Sequence, residues 1–205
     1  MRGARAVPIV AVLIALVGCS GAKFFTAANV SSVLPGKTDT PPGLTFLPDS
    51  SGEQPASQVA KDQDQQTKLL ALGFQKAYAS FYANNPAITI LQTPNTAADP
   101  TAHVIAMLGI QFKTPDGAHQ ALALNYAKDV ATGTNIKRIS VKTLGDETLA
   151  ESGTQAAFPF PGYLIYWRVG NALFAVLDAG GPTAGASLET AQSYADAMQA
   201  RVQKI

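Results

Sequence analysis

Residues 163–178 read YLIYWRVGNALFAVLD, two apolar runs separated by Gly170-Asn171. A two-residue Gly-Asn connection between β-forming runs is the short-range signature of a β-hairpin. Successive strand residues alternate in direction. Tyr163, Ile165 and Trp167 therefore share one face, and Leu164, Tyr166 and Arg168 the other. Across the turn, Leu173 and Ala175 extend one of these faces, Phe174 and Val176 the other. This hairpin is expected at the centre of the core.

Helical spacing of Leu70, Phe74, Ala77, Tyr78 and Phe81 predicts a helix over 56–83, ended by Asn84-Asn85-Pro86. A short strand is expected at 88–93 (ITILQT), a loop at 94–100, and a central strand at 103–113, which is apolar and partly β-branched. Thr114-Pro115-Asp116 starts a helix with a capping hydroxyl, a proline at its first position and an acid in its first turn. That helix should reach about Val130, burying Ala118, Leu122 and Tyr126, with Gly133 as its stop. Residues 136–142 alternate like a strand. Leu188, Ala191, Ala195, Met198 and Val202 mark the buried stripe of a last helix starting at Ser187. The order gives one α+β domain over 56–205, with a largely antiparallel sheet and helices packed mainly on one face. Residues 19–55 hold Ser, Pro, Gly and Thr clusters without a period and read as a flexible tether. Such a tether spans about 30–35 Å r.m.s. and lifts the domain clear of lipid. Within it, Phe24 and Phe25 could dip into a membrane interface, and Phe46 and Leu47 could dock on the domain.

The chain opens with Arg2 and Arg5, then an apolar run from Val7 to Val17 broken only by Pro8. That is a signal-peptide layout, too short for the roughly 20 residues of a membrane-spanning helix. Leu16-Val17-Gly18-Cys19 resembles the lipobox of bacterial lipoproteins. The resemblance implies cleavage after residue 18 and diacylation of Cys19, the chain's single cysteine. It places the protein on the extracytoplasmic face of the cell membrane. An outer membrane stays open where the host has one, since Ser20 differs from the Asp that retains such lipoproteins at the inner membrane. Two or more acyl chains anchor stably where one does not. The competing reading is ordinary cleavage after Ala22, which would discard Cys19.

Losing residues 1–18 removes two of 15 basic residues, leaving 13 against 14 acidic. No basic stripe with interleaved aromatics suggests nucleic acid. His103 and His119 lie far apart, with no metal-site spacing, so neither a metal nor another cofactor is expected. Asp146 and Glu147 are adjacent in LGDET; a structural ion pair with Arg168 is the expectation, a catalytic role the alternative. The aromatic run around Tyr163, Tyr166, Trp167 and Arg168 is core or, on the sharper reading, a binding surface. The function expected is a non-catalytic accessory or binding lipoprotein of the cell envelope, with an envelope protein or small apolar ligand as partner. The competing class is a cell-envelope hydrolase using Asp146, Glu147 or a histidine. A pocket joining a histidine to Asp146 or Glu147 would favour the enzyme; an apolar groove lined by Tyr163, Tyr166 or Trp167 would favour binding.

Overall fold

Pro161–Val169 and Ala172–Gly180 pair antiparallel with Val169 opposite Ala172, so the hairpin closes on Gly170-Asn171. Gly170 takes φ +56°, the positive value that the first central position of a II′ turn requires. The computed structural model describes residues 23–60, 62–93, 99–155 and 159–205. The expected signal segment with Cys19, the alternative cleavage site after Ala22 and most of the 94–100 loop lie outside the described residues.

Among the described residues, eight strands form one antiparallel sheet: β1 (Thr45–Phe46), β2 (Gly52–Gln54), β3 (Phe74–Ala83), β4 (His103–Phe112), β5 (Thr134–Ile139), β6 (Glu147–Thr154), β7 (Pro161–Val169) and β8 (Ala172–Gly180). Their order is β1-β3-β4-β8-β7-β6-β5, with β2 also on β3. The helices are α1 (Ala27–Val33), α2 (Ala56–Val59), α3 (Gln63–Ala71), α4 (Asn85–Gln92), α5 (Pro115–Thr132) and α6 (Leu188–Gln203). This is a single α+β domain. Among the described residues, no helix is long and apolar enough to cross a membrane.

The helices divide between the two faces of the sheet rather than gathering mainly on one. Leu69 of α3, Ala87 and Ile90 of α4, and Ala118, Ala121 and Leu122 of α5 pack on the face carrying Val104, Ile110, Leu164, Tyr166 and Leu173. Val30 and Val33 of α1, with Ala191, Ala195, Met198 and Val202 of α6, pack on the face carrying Ile105, Met107, Ile165, Trp167 and Phe174. The hairpin is buried on both sides because its two residue sets are both apolar.

Two expected elements are replaced. The helix expected over 56–83 is instead α2, α3 and the ten-residue strand β3, with Gly73 at φ +83° turning the chain between them. The strand expected at 88–93 is the body of α4: Asn84 caps it through the Ala87 amide, and Pro86 sits in its first turn.

The expected tether is also corrected, because from Lys23 onward it belongs to the fold. Thr26 caps α1 through the Asn29 amide, and the Asn29 side chain returns to the Thr26 amide. Gly109 lets α1 approach β4: a Cβ there would lie 2.7 Å from Val30 Cγ1. Beyond α1, Ser80 and Tyr82 donate to the Pro35 and Gly36 carbonyls, and β1 and β2 both add to β3. Phe25 is 2% exposed and meets Phe174 edge-on at 5.7 Å, whereas its neighbour Phe24 is 62% exposed. Phe25→Ala should therefore cost about 3–5 kcal/mol, as large-to-small core changes do, and Phe24→Ala no more than about 0.5 kcal/mol. Urea melts of the two variants check this; equal, small losses would return the segment to the status of a spacer.

Candidate functional site

Three alanines sit where neighbouring strands bring larger side chains to the same face: Ala79 of β3, Ala106 of β4 and Ala175 of β8. Phe81, Leu108, Leu164, Tyr166 and Leu177 surround them. The small side chains leave space on the floor of the sheet, and the four-residue α2 brings only Gln58 and Val59 to the wall. The result is a mostly apolar cavity of about 240 Å³, with Gln54, Asp129 and Gln155 as further lining groups.

The polar groups collect on the side where α5 and β6 meet the hairpin. The Tyr166 hydroxyl donates to Asp129 Oδ2 at 2.7 Å. Burial, then the Asp129 charge, pushes the Tyr166 phenol well above its ordinary value, so it stays protonated and remains a donor. Gln155 Nε2 donates to Glu151 Oε1 at 2.6 Å. Gln155 is itself buried, and its Oε1 has no hydrogen-bond partner among the described residues. An unmet acceptor in such a setting is costly. Of these polar residues only Tyr166 stands out in the sequence. Asp129 and Gln155 carry no motif, and an alanine within an apolar strand marks a cavity only once its neighbours are placed.

The aromatic run does not make an exposed surface. Trp167 is fully buried on the α6 face, stacked on Phe174 with centroids 5.6 Å apart, and its indole N–H donates to Gln199. Tyr166 is buried on the opposite face and lines the cavity. Tyr163 lines a separate, glycine-rich depression of about 590 Å³ with Lys137, Ser152, Gly162 and Gly180.

Arg168 joins both acids of LGDET. It reaches Asp146 Oδ2 at 3.0 Å and Glu147 Oε1 at 2.7 Å, while Asp146 also accepts the Gly170 amide. His119, in the second turn of α5, lies 2.7 Å from Glu147 Oε2. A histidine and Glu147 thus meet, but on the surface, with the His119 side chain more than half exposed. Both Glu147 oxygens are engaged, so the group clamps α5, β6 and β7 together and offers no idle base. Partial burial raises the Glu147 carboxyl, yet hydrogen bonds from His119 and Arg168 outweigh it and hold it below the usual range. The other histidine, His103, meets the fully buried Asp178 at 2.6 Å, and Asp178 also accepts the Ser187 amide at the start of α6. No cluster of three His, Cys, Asp or Glu able to hold a metal occurs among the described residues.

No family model and no curated protein matches the chain. Among solved structures it is similar to the extracellular domain of PknH from Mycobacterium tuberculosis, at 15% identity and a TM-score of 0.53. The match covers 90% of this chain and all of that one. At that identity the likeness is one of fold.

The Glu147 clamp has a pH signature. Its carboxyl is held low in the folded chain, so its contribution is complete above the ordinary glutamate value of 4.5 and is lost as pH falls below it. At neutral pH Glu147→Gln should be less stable than the parent chain in urea, and the gap should close on acidification through 4.5. A gap unchanged at acid pH would show that the charge of Glu147 is not what stabilises this corner.

Proposed function

We propose that the chain is an extracytoplasmic lipoprotein, held on the membrane through Cys19, whose domain binds a small, largely apolar ligand without catalysis. The observation that carries the binding reading is the cavity floored by Ala79, Ala106 and Ala175. Ligand sites are mostly apolar concavities with a few placed polar groups, and this one is lined by Gln54, Gln155 and the Tyr166–Asp129 pair. Its volume is just below the range of about 300–1,000 Å³ typical of drug-sized ligands, which suits a compact molecule. The anchoring part rests on Leu16-Val17-Gly18-Cys19 after a short apolar run. A fold shared with a domain described as extracellular supports the same side of the membrane.

Two measurements test the two parts. The apolar fluorophore N-phenyl-1-naphthylamine should bind the purified protein saturably, and Ala106→Phe, which fills the cavity, should weaken binding about tenfold or more, the effect of losing roughly 1.4 kcal/mol. Unchanged affinity in Ala106→Phe, with the fold intact, would place the bound probe elsewhere. Cys19→Ala should move the protein out of the membrane fraction or stall it with its signal uncut. A mature N-terminus at Lys23 without lipid would end the anchoring reading.

A further inference from the structure

Lys23 is fixed to the body of the domain. Its ammonium donates to the Val202 carbonyl at 2.6 Å, near the end of α6, and its own carbonyl lies against Gly170, where a Cβ would come within 1.6 Å. Only Ser20, Gly21 and Ala22 separate Lys23 from Cys19. Whatever path they take, four Cα steps reach at most about 15 Å. The headgroup layers together add about 10–15 Å to a bilayer, so Lys23 is held within roughly a Debye length, about 8 Å, of the lipid surface.

What lies at that end of the sheet suits a lipid surface. Asn171 bonds Phe112, the last residue of β4, and Lys113 follows it. The Lys113 amide donates to Gly73, and the Gly73 amide to Leu70 at the end of α3. Ile205 bonds back to Val202. The same end therefore gathers Phe24, Leu70 and Ile205, which are 62%, 53% and 42% exposed. Lys23, Lys113 and Lys204 stand among them, the last two exposed. Asp146, at the same end, is engaged by Arg168. Apolar side chains beside lysines make up the composition of an interfacial surface, the former entering the headgroup boundary and the latter facing anionic lipid. Among the described residues, the other two large exposed apolar side chains, Leu91 in α4 and Val130 near the end of α5, lie toward the opposite end.

We propose that the domain docks directly on an anionic bilayer through the β7–β8 turn end, with Phe24 and Leu70 in the interface. The proposal rests on the anchoring reading above. It fixes the orientation of the domain: the turn faces lipid, while His103, Gly180 and the glycine-rich depression point away from it.

The test uses the full chain, processed and lipidated in a bacterial host, then reconstituted into vesicles of equal parts phosphatidylcholine and phosphatidylglycerol with brominated acyl chains. Phe24→Trp, Leu70→Trp and Val130→Trp are each compared with the parent, whose single tryptophan, Trp167, provides the background. The added signal at Phe24→Trp and Leu70→Trp should be quenched about threefold more than at Val130→Trp, as interfacial burial requires. The mass of the N-terminal peptide is read on the same sample. Lipid present on Cys19 with all three positions quenched alike, or none quenched, overturns the docking and leaves the anchor standing. An N-terminal peptide without lipid overturns both.

Discussion

One side chain ties together three parts of the chain that are distant in sequence. Asn171, at the tip of the hairpin and almost fully buried, accepts the Phe25 amide on Oδ1 at 2.6 Å and donates from Nδ2 to the Phe25 and Phe112 carbonyls. Its backbone carbonyl also takes the Phe112 amide. A buried amide is tolerated only when its donors and acceptor are met, and here they are met by the N-terminal segment and the end of β4. Phe25 could not seat against Phe174 without these bonds, and the residues after it would not be directed onto the sheet as α1. The turn is thus a fixed point from which the N-terminal third of the domain is hung.

The same arrangement explains why the N-terminal segment was hard to read. Its apolar residues, Phe25, Val30, Val33 and Leu34, are spread among serines, glycines and prolines, and α1 is too short to show a period of its own. Its partners are distant in sequence, on β3, β4 and β8. Composition alone then resembles a linker. By contrast, α5 and α6 carry their own start signals in Thr114-Pro115 and Ser187, and both form as expected. The hairpin carries its own turn. Elements whose ends are encoded locally were legible; those that exist only because a partner strand or a distant side chain receives them were not.

The error over 56–83 has the same physical origin. Phe74, Ala77, Tyr78 and Phe81 fit a helical stripe, but the same stretch also alternates, with Ala77, Ala79, Phe81 and Ala83 on one side and Tyr78, Ser80 and Tyr82 on the other. Two periods compete, and the nine register partners that β4 offers decide for the strand, as tertiary pairing overrides weak local preference. Gly73 is the signal that separated α3 from β3. Asn84-Asn85-Pro86, read as a stop, serves as the cap and first turn of α4, because the same residues that cannot continue a helix are suited to begin one. Of the candidate site, Tyr166 and the Arg168 clamp were legible because strand alternation and charge pairing are local rules. The cavity was not, since it comes from three alanines on three strands that share a face only after the sheet has assembled.

Burying both faces of the sheet has a consequence for where chemistry can sit. With α1 and α6 on one side and α3, α4 and α5 on the other, Trp167 and Tyr166 are both removed from solvent although they point in opposite directions. Recognition is then left to gaps in helix cover and to the ends of the sheet. The gap lies above Ala106, where α2 is a single turn. The ends differ from one another: one carries the hairpin tip, Lys23 and the exposed Phe24 beside it, the other the glycine-rich depression and the buried Asp178 with its His103 partner. On the proposed anchoring, a freely jointed tether would let either end approach the membrane. A chain pinned at Lys23 lets only one do so, which turns the asymmetry of the sheet into an orientation of the whole domain.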